Sequence, residues 1–332
     1  MASSSAREDD DTDICRGPVP LTDENLPKIE FTIFVHVFYP EVWEEMRREI
    51  TEAVREPFGL VITRPPFVAP VPLPDTPFLA FSEQIEVENR GRDILPFLKA
   101  LRCPLLPATD IGLKLHTKRS PHRTDGADWR RFLCDSLLET DGQSGLAGHT
   151  LLTEEGRLGL IAPNAHLLPL DGRTSINDTA ISIMLRTLYG AYPSTLVRLT
   201  RFAAGSMFWF RRSTLAPLLV PEIDALFAAE RGQLDGTAAH ALERLFVTII
   251  EHQGFLAASM ENASPILNAP PSSLTDAELA DLIEDTRVGE NPFSLPLRDF
   301  WRKSPRLLKL VHRIYARLPK GIIRMLHAVM RF

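Results

Sequence analysis

The run FTIFVHVF at 31–38 constrains this chain more than any other segment. It is rich in β-branched and aromatic residues and lacks the polar alternation of a half-exposed strand, so it reads as a strand covered on both faces. Pro40 follows at once and opens a helical pattern over 41–56, with Val42, Met46, Ile50 and Val54 on one face. The alternation then repeats: strands are predicted at 59–63, 84–87, 110–115 and 158–162, and helices at 94–101 and 129–138. Strands alternating with helices specify an α/β fold with a mainly parallel sheet flanked by helices. Ligands of such sheets bind at the carboxyl edge of the strands, and the polar clusters of this sequence sit at those strand ends.

The flanks differ from this body. Residues 1–28 are polar, with Glu8, Asp9, Asp10, Asp11 and Asp13, and read as a disordered acidic tail. Asp11-Thr12-Asp13 spells a DxD metal motif, but no strand precedes it to fix the carboxylates. The prolines crowded into 65–77 mark a loop. The expected organisation is therefore a tail over 1–28, one α/β domain over 29–270 and a helical extension over 271–332. Net charge is −6, so no global attraction to nucleic acid is expected. Cys15, Cys103 and Cys134 have no metal-ligand spacing. With no secretory leader and no apolar run of about 18 residues, the chain reads as cytoplasmic.

Four clusters carry candidate chemistry. Glu88-Asn-Arg-Gly-Arg-Asp93 lies between a strand and an apolar helix. Gly91 permits a tight turn; Asp93 is placed to cap the helix, and Arg90 and Arg92 either serve an anion at its N-terminus or are simply solvated. Lys114-Leu-His116-Thr-Lys118-Arg119 ends the next strand. Alternation puts Lys114 and His116 on one face, and a lysine inside an apolar strand needs a partner; together with Lys118 and Arg119 these cations form either a diphosphate site or a charged surface loop. In Gly205-Ser206-Met-Phe-Trp-Phe-Arg211, Gly205 and Ser206 allow close backbone approach to a ligand, and the aromatics read mostly as core. Asp235-Gly-Thr237 precedes a helix capped by Thr237, on which His240 and Glu243 share a face beside Arg244. That grouping is either a general-base neighbourhood or surface ion pairing.

The C-terminal segment is cationic. From Trp301 onward it holds nine Lys or Arg residues and no acid, and Leu307, Val311, Ile314 and Leu318 recur at helical spacing. Such a helix either lies on an anionic membrane surface or packs its apolar stripe on the domain.

In this order, the segments HVFYPEVWEEM, VENRGRDILPFLKAL, LKLHTKRS, WRRFLCDSLL, LGLIAP, AGSMFWFRR and GQLDGTAAHALERLF resemble the rhamnan-synthesis protein F family, over about residues 31–255. The resemblance implies a GT-A-like glycosyltransferase that moves a sugar, with rhamnose on a thymidine diphosphate carrier favoured. Its acceptor would be a growing, lipid-linked surface polysaccharide at the cytoplasmic face of the inner membrane. Asn89, Arg90, Arg92, Asp93, Lys114, His116, Lys118, Gly205 and Ser206 would then bind the donor, with Asp235 as base and Glu243 as second choice. GT-A enzymes commonly end the donor strand in a DxD motif that holds a divalent metal. Here cations stand in that place, so transfer without a metal cofactor is expected, with Asp93 or Asp235 left to hold an ion if one binds. The competing expectation is a non-catalytic subunit that holds a nucleotide-sugar or glycan. A dinucleotide-dependent oxidoreductase is disfavoured because no G-x-G-x-x-G follows the first strand.

Overall fold

A computed structural model describes residues 28–117, 119, 125–142, 145–171, 173–174, 176–190, 200–229, 235–269 and 274–293, together with 304, 306, 307, 310 and 311. Residues 1–27 of the expected acidic tail, Lys118 and most of the basic C-terminal segment lie outside the described residues, whereas Leu307 and Val311 of its apolar stripe are described and exposed.

In chain order the elements are β1 (Phe31–His36), α1 (Pro40–Ala53), β2 (Phe58–Arg64), β3 (Leu79–Glu86), α2 (Ile94–Leu101), β4 (Ile111–His116), α3 (Gly126–Leu137) and α4 (Ala147–Glu154). They continue with β5 (Leu158–Ala162), β6 (Leu167–Pro169), α5 (Asp178–Tyr189), β7 (Arg201–Ala203), β8 (Phe208–Arg211) and α6 (Pro221–Asp224). Last come α7 (Ala238–His252), β9 (Leu256–Ser259), α8 (Ala263–Leu267) and α9 (Asp276–Asp285). The main sheet has seven strands in the order β3-β2-β1-β4-β8-β5-β9, while β6 and β7 form a small antiparallel pair. Every pairing in the main sheet is parallel except those of β8, which runs antiparallel between β4 and β5. The mainly parallel α/β sheet expected from the sequence is thus present.

Apolar side chains on both faces of the sheet make a three-layer body. On one face Phe31, Ile33, Leu113 and Trp209 pack with Trp43 of α1, Leu133 of α3 and Leu151 of α4. On the other, Phe34, Phe208 and Phe210 pack with Phe97 of α2, Met184 of α5 and Phe246 of α7. Within the helical extension expected over 271–332, α9 is described, and its Leu279 and Ile283 are buried in the first of these cores. The chain is therefore bound to the body at least as far as Asp285.

The chain runs outward from β1 to β2 and β3, then returns to the opposite side of β1 to place β4. The carboxyl ends of β1 and β4 consequently flank a point where strand order reverses, the usual position of a ligand crevice. The ladder ends just past His36: the Val37 amide still donates to the Thr63 carbonyl of β2, at 2.8 Å, whereas those of Phe38 and Tyr39 both donate to Thr117 Oγ1, at 2.9 and 3.0 Å.

Candidate active site

The site begins with the alternation of β4. Ile111, Leu113 and Leu115 enter one core, which turns Lys114 and His116 to the other face. Lys114 is 1% exposed. Its ammonium donates to Asp93 Oδ2 at 2.6 Å, to the Ser206 carbonyl at 2.7 Å and to Ser206 Oγ at 3.1 Å. The Phe97 and Phe208 rings lie 5.3 and 5.8 Å from it. Three donors meet three acceptors, which is what allows an ammonium to be buried at all. Lys114, expected to grip a diphosphate, is turned inward here and fastens Asp93 and Ser206 in place. Asp93 likewise does not cap α2: its backbone is α-like, and its side chain makes no capping hydrogen bond because the carboxylate is drawn to Lys114.

Two left-handed turns face the resulting cleft. Gly91 and Arg92 have φ of 71° and 57°, and Gly205 and Ser206 have φ of 92° and 58°. Glycine adopts such angles freely, whereas arginine and serine do so at a cost of about 1–2 kcal/mol. A β-carbon on Gly91 would also lie 2.6 Å from Leu95 and Phe227. Backbone strain of this kind persists where the surroundings hold it, often at functional sites. The second turn is held from both sides: the Gly205 amide donates to Glu243 Oε1 at 3.2 Å, and its carbonyl lies 3.0 Å from His116 Nε2. His116 Nε2 is also 3.9 Å from Asp93 Oδ2.

A partly open cleft of about 60 Å³ runs between these turns. Arg92, Asp93 and Ile94 wall it at the start of α2, and Ala239, His240 and Glu243 wall it at the start of α7. Two helix N-termini thus open toward it, and Thr237 caps α7 as expected, accepting from the His240 amide. Of the expected residues, the structure brings Arg92, Asp93, Lys114, His116, Gly205, Ser206 and Glu243 together. Three others are directed elsewhere. Asn89 is exposed beyond the strand. Arg90 pairs with Glu88 at 2.6 Å and donates to the Phe227 carbonyl at 3.3 Å. Asp235 accepts from the Gly236 amide at 3.3 Å and faces Arg244 at 3.5 Å. Among the described residues, no group of three or more His, Cys, Asp or Glu side chains is disposed to share a metal ion.

Two further features at the same edge have only a weak signal in the sequence. His36, in register with His116 across β1 and β4, sits 3.0 Å from Thr63 Oγ1 and is 8% exposed. Its signal was a polar ring inside an apolar run. The other feature is an aromatic group after β1 and β2, in which Phe38 contacts Tyr39 and Phe67, the last 64% exposed. Burial pushes the His36 pKa down from 6.5 to about 4, against a smaller opposing effect of Asp93. Between those values the unfolded chain binds the proton that the folded one refuses. Stability is therefore complete above about pH 6.5 and is lost as pH falls toward 4. That corresponds to about 2 kcal/mol lost by pH 5. Urea midpoints at pH 7 and pH 5 should separate accordingly, and His36→Asn should remove most of the difference between them.

One family model and two curated proteins match this chain. The model of the rhamnan synthesis protein F family matches residues 19–255. Two curated proteins from strains of Xanthomonas campestris pv. campestris, both described as uncharacterized protein WxcX, are each 33% identical over 240 residues, or 72% of this chain. The chain spans only about a third of those relatives, the match covering 34% of their length. The matched region carries both left-handed turns, Lys114 and the first two turns of α7. The chain belongs to the rhamnan synthesis protein F family.

Proposed function

We propose that this chain takes part in surface-polysaccharide synthesis as a GT-A-like glycosyltransferase, moving rhamnose or a related sugar from a nucleoside-diphosphate donor to a lipid-linked glycan. The family's name supports the polysaccharide setting. The observation that carries the catalytic reading is the cleft at the strand-order reversal, where two helix N-termini and Arg92 meet the carboxylates of Asp93 and Glu243. Positive helix ends and a guanidinium suit a diphosphate. Acidic and imidazole groups beside them suit activation of an acceptor hydroxyl. Phe67, exposed at the same sheet edge, offers a ring face to the nucleoside. The acceptor is placed by this reading at the cytoplasmic face of the inner membrane, approached through the basic segment 301–332. Among the described residues no helix is long and apolar enough to cross a membrane.

Transfer is proposed to need no divalent metal, because Asp93 already accepts a short hydrogen bond from Lys114 and lies beside His116 and Arg92. A metal ion would compete with those positive groups for one carboxylate. Incubation with a panel of nucleotide-sugars should release nucleoside diphosphate and extend a glycan acceptor. The rate should survive EDTA; loss in EDTA that manganese or magnesium restores would refute metal independence.

The second reading, a non-catalytic subunit that holds donor or glycan, has one observation in its favour: the Lys114 ammonium has all three donors engaged inside the protein. Such a subunit would bind donor and release no nucleoside diphosphate.

A further inference from the structure

We propose that His240 is the general base of the transfer, its Nε2 taking the proton of the acceptor hydroxyl; the assignment rests on the cleft being a transfer site. His240 lies in the first turn of α7, where its Nδ1 is 2.8 Å from Thr237 Oγ1. The capping threonine thus fixes the ring at one nitrogen. The other nitrogen, Nε2, is buried without a hydrogen-bond partner among the described residues, and the residue is only 6% exposed. It forms part of the cleft wall with Glu243, His116 and Arg92. A buried polar atom left unpaired costs about 1–3 kcal/mol. That cost is removed when a substrate hydroxyl enters the cleft and supplies the partner.

The carboxylates compete poorly for this role. Glu243 accepts from the Gly205 amide through Oε1 and faces Arg244 through Oε2 at 3.7 Å. Asp235 is engaged by the Gly236 amide and by Arg244, and does not wall the cleft. Burial, then the charge of Arg92, lowers the His240 pKa; Asp235 and Glu243 oppose this, and Arg244 reinforces it. The ring is consequently neutral near pH 7 and able to accept a proton.

The step balances simply. In the tautomer this role requires, Nδ1–H donates to Thr237 Oγ1, which leaves the Nε2 lone pair free to accept a proton. The acceptor oxygen bonds to the anomeric carbon of the sugar while the bond from that carbon to the diphosphate oxygen breaks. The bonding pair leaves with the nucleoside diphosphate, and the acceptor proton moves to Nε2. Glu243, on the same helix face, stabilises the imidazolium that results.

The test compares His240→Gln with wild type for kcat and for donor Kd. Loss of about 10²–10⁴ in kcat with donor Kd within about threefold is the expected result. Imidazole should restore part of the rate to His240→Ala, and the wild-type fall in kcat at low pH should be missing from the residual activity of His240→Gln. A His240→Gln protein that keeps kcat within about threefold overturns the assignment. The tautomer provides a readout without substitution. Nitrogen chemical shifts of the neutral wild-type ring should show the proton on Nδ1; a proton on Nε2 would make His240 a donor to phosphate and overturn its role as base. Wild-type protein that turns over no donor at all would instead defeat the transfer reading itself, and with it this role.

Discussion

Lys114→Met should destabilise the folded protein by about 3–5 kcal/mol, a large part of the ~5–15 kcal/mol that holds a domain together. Methionine keeps the stem that packs on Phe97 and Phe208 but removes the charge. What remains is an Asp93 carboxylate with 15% of its side chain exposed and without its 2.6 Å partner, and a Ser206 turn without its tether. Partial exposure and the nearby His116 soften the penalty, so the lower end of that range is expected. Adding Asp93→Asn should recover much of the loss, because the neutral amide needs no counter-ion. Urea unfolding of the two single variants and the double variant gives the coupling directly. A loss below about 1 kcal/mol in Lys114→Met would mean the pair is not structurally required.

Arg92→Gly should affect binding rather than folding. The position is left-handed, so glycine relieves strain of about 1–2 kcal/mol and gives back about 0.5–1 kcal/mol through greater freedom of the unfolded chain. Relief of that strain offsets the loss of the contacts the Arg92 side chain makes, so the net change in folding stability should be small. Affinity for a nucleoside diphosphate should fall about 10- to 100-fold, the worth of one charge-assisted hydrogen bond at roughly 1.5–3 kcal/mol. Titration calorimetry and thermal unfolding on the same preparation measure both quantities. A variant that binds as wild type does would remove Arg92 from the site.

The sequence made legible whatever depends on local periodicity. The helix at Ile94–Leu101 and the strand at Leu158–Ala162 have the bounds expected from apolar pattern alone. β3 begins earlier than expected, at Leu79, because an edge strand carries half-exposed residues that blur the alternation. β9 has no strand signature in the sequence, because Leu256-Ala-Ala-Ser259 is short and has no β-branched or aromatic residue. The site was legible as a set of residue types at strand ends, but their pairing was not. Lys114 meets Asp93 from 21 residues away and Ser206 from 92 away, and the second contact exists only because β8 is inserted beside β4. No local pattern encodes that insertion. The lysine in an apolar strand was rightly expected to have a partner; that the partner is the protein itself follows from tertiary structure alone. His240 was seen as a neighbour of Glu243, and only the Thr237 contact shows which ring nitrogen is left for chemistry.

A crystal structure of the protein with a nucleoside diphosphate tests the central claim most directly. The account predicts diphosphate oxygens in the cleft between the two left-handed turns, within hydrogen-bond reach of the Arg92 guanidinium and the first-turn amides of α7, with Lys114 still bound to Asp93 and Ser206. A nucleotide bound elsewhere, with this cleft left to water, would contradict it.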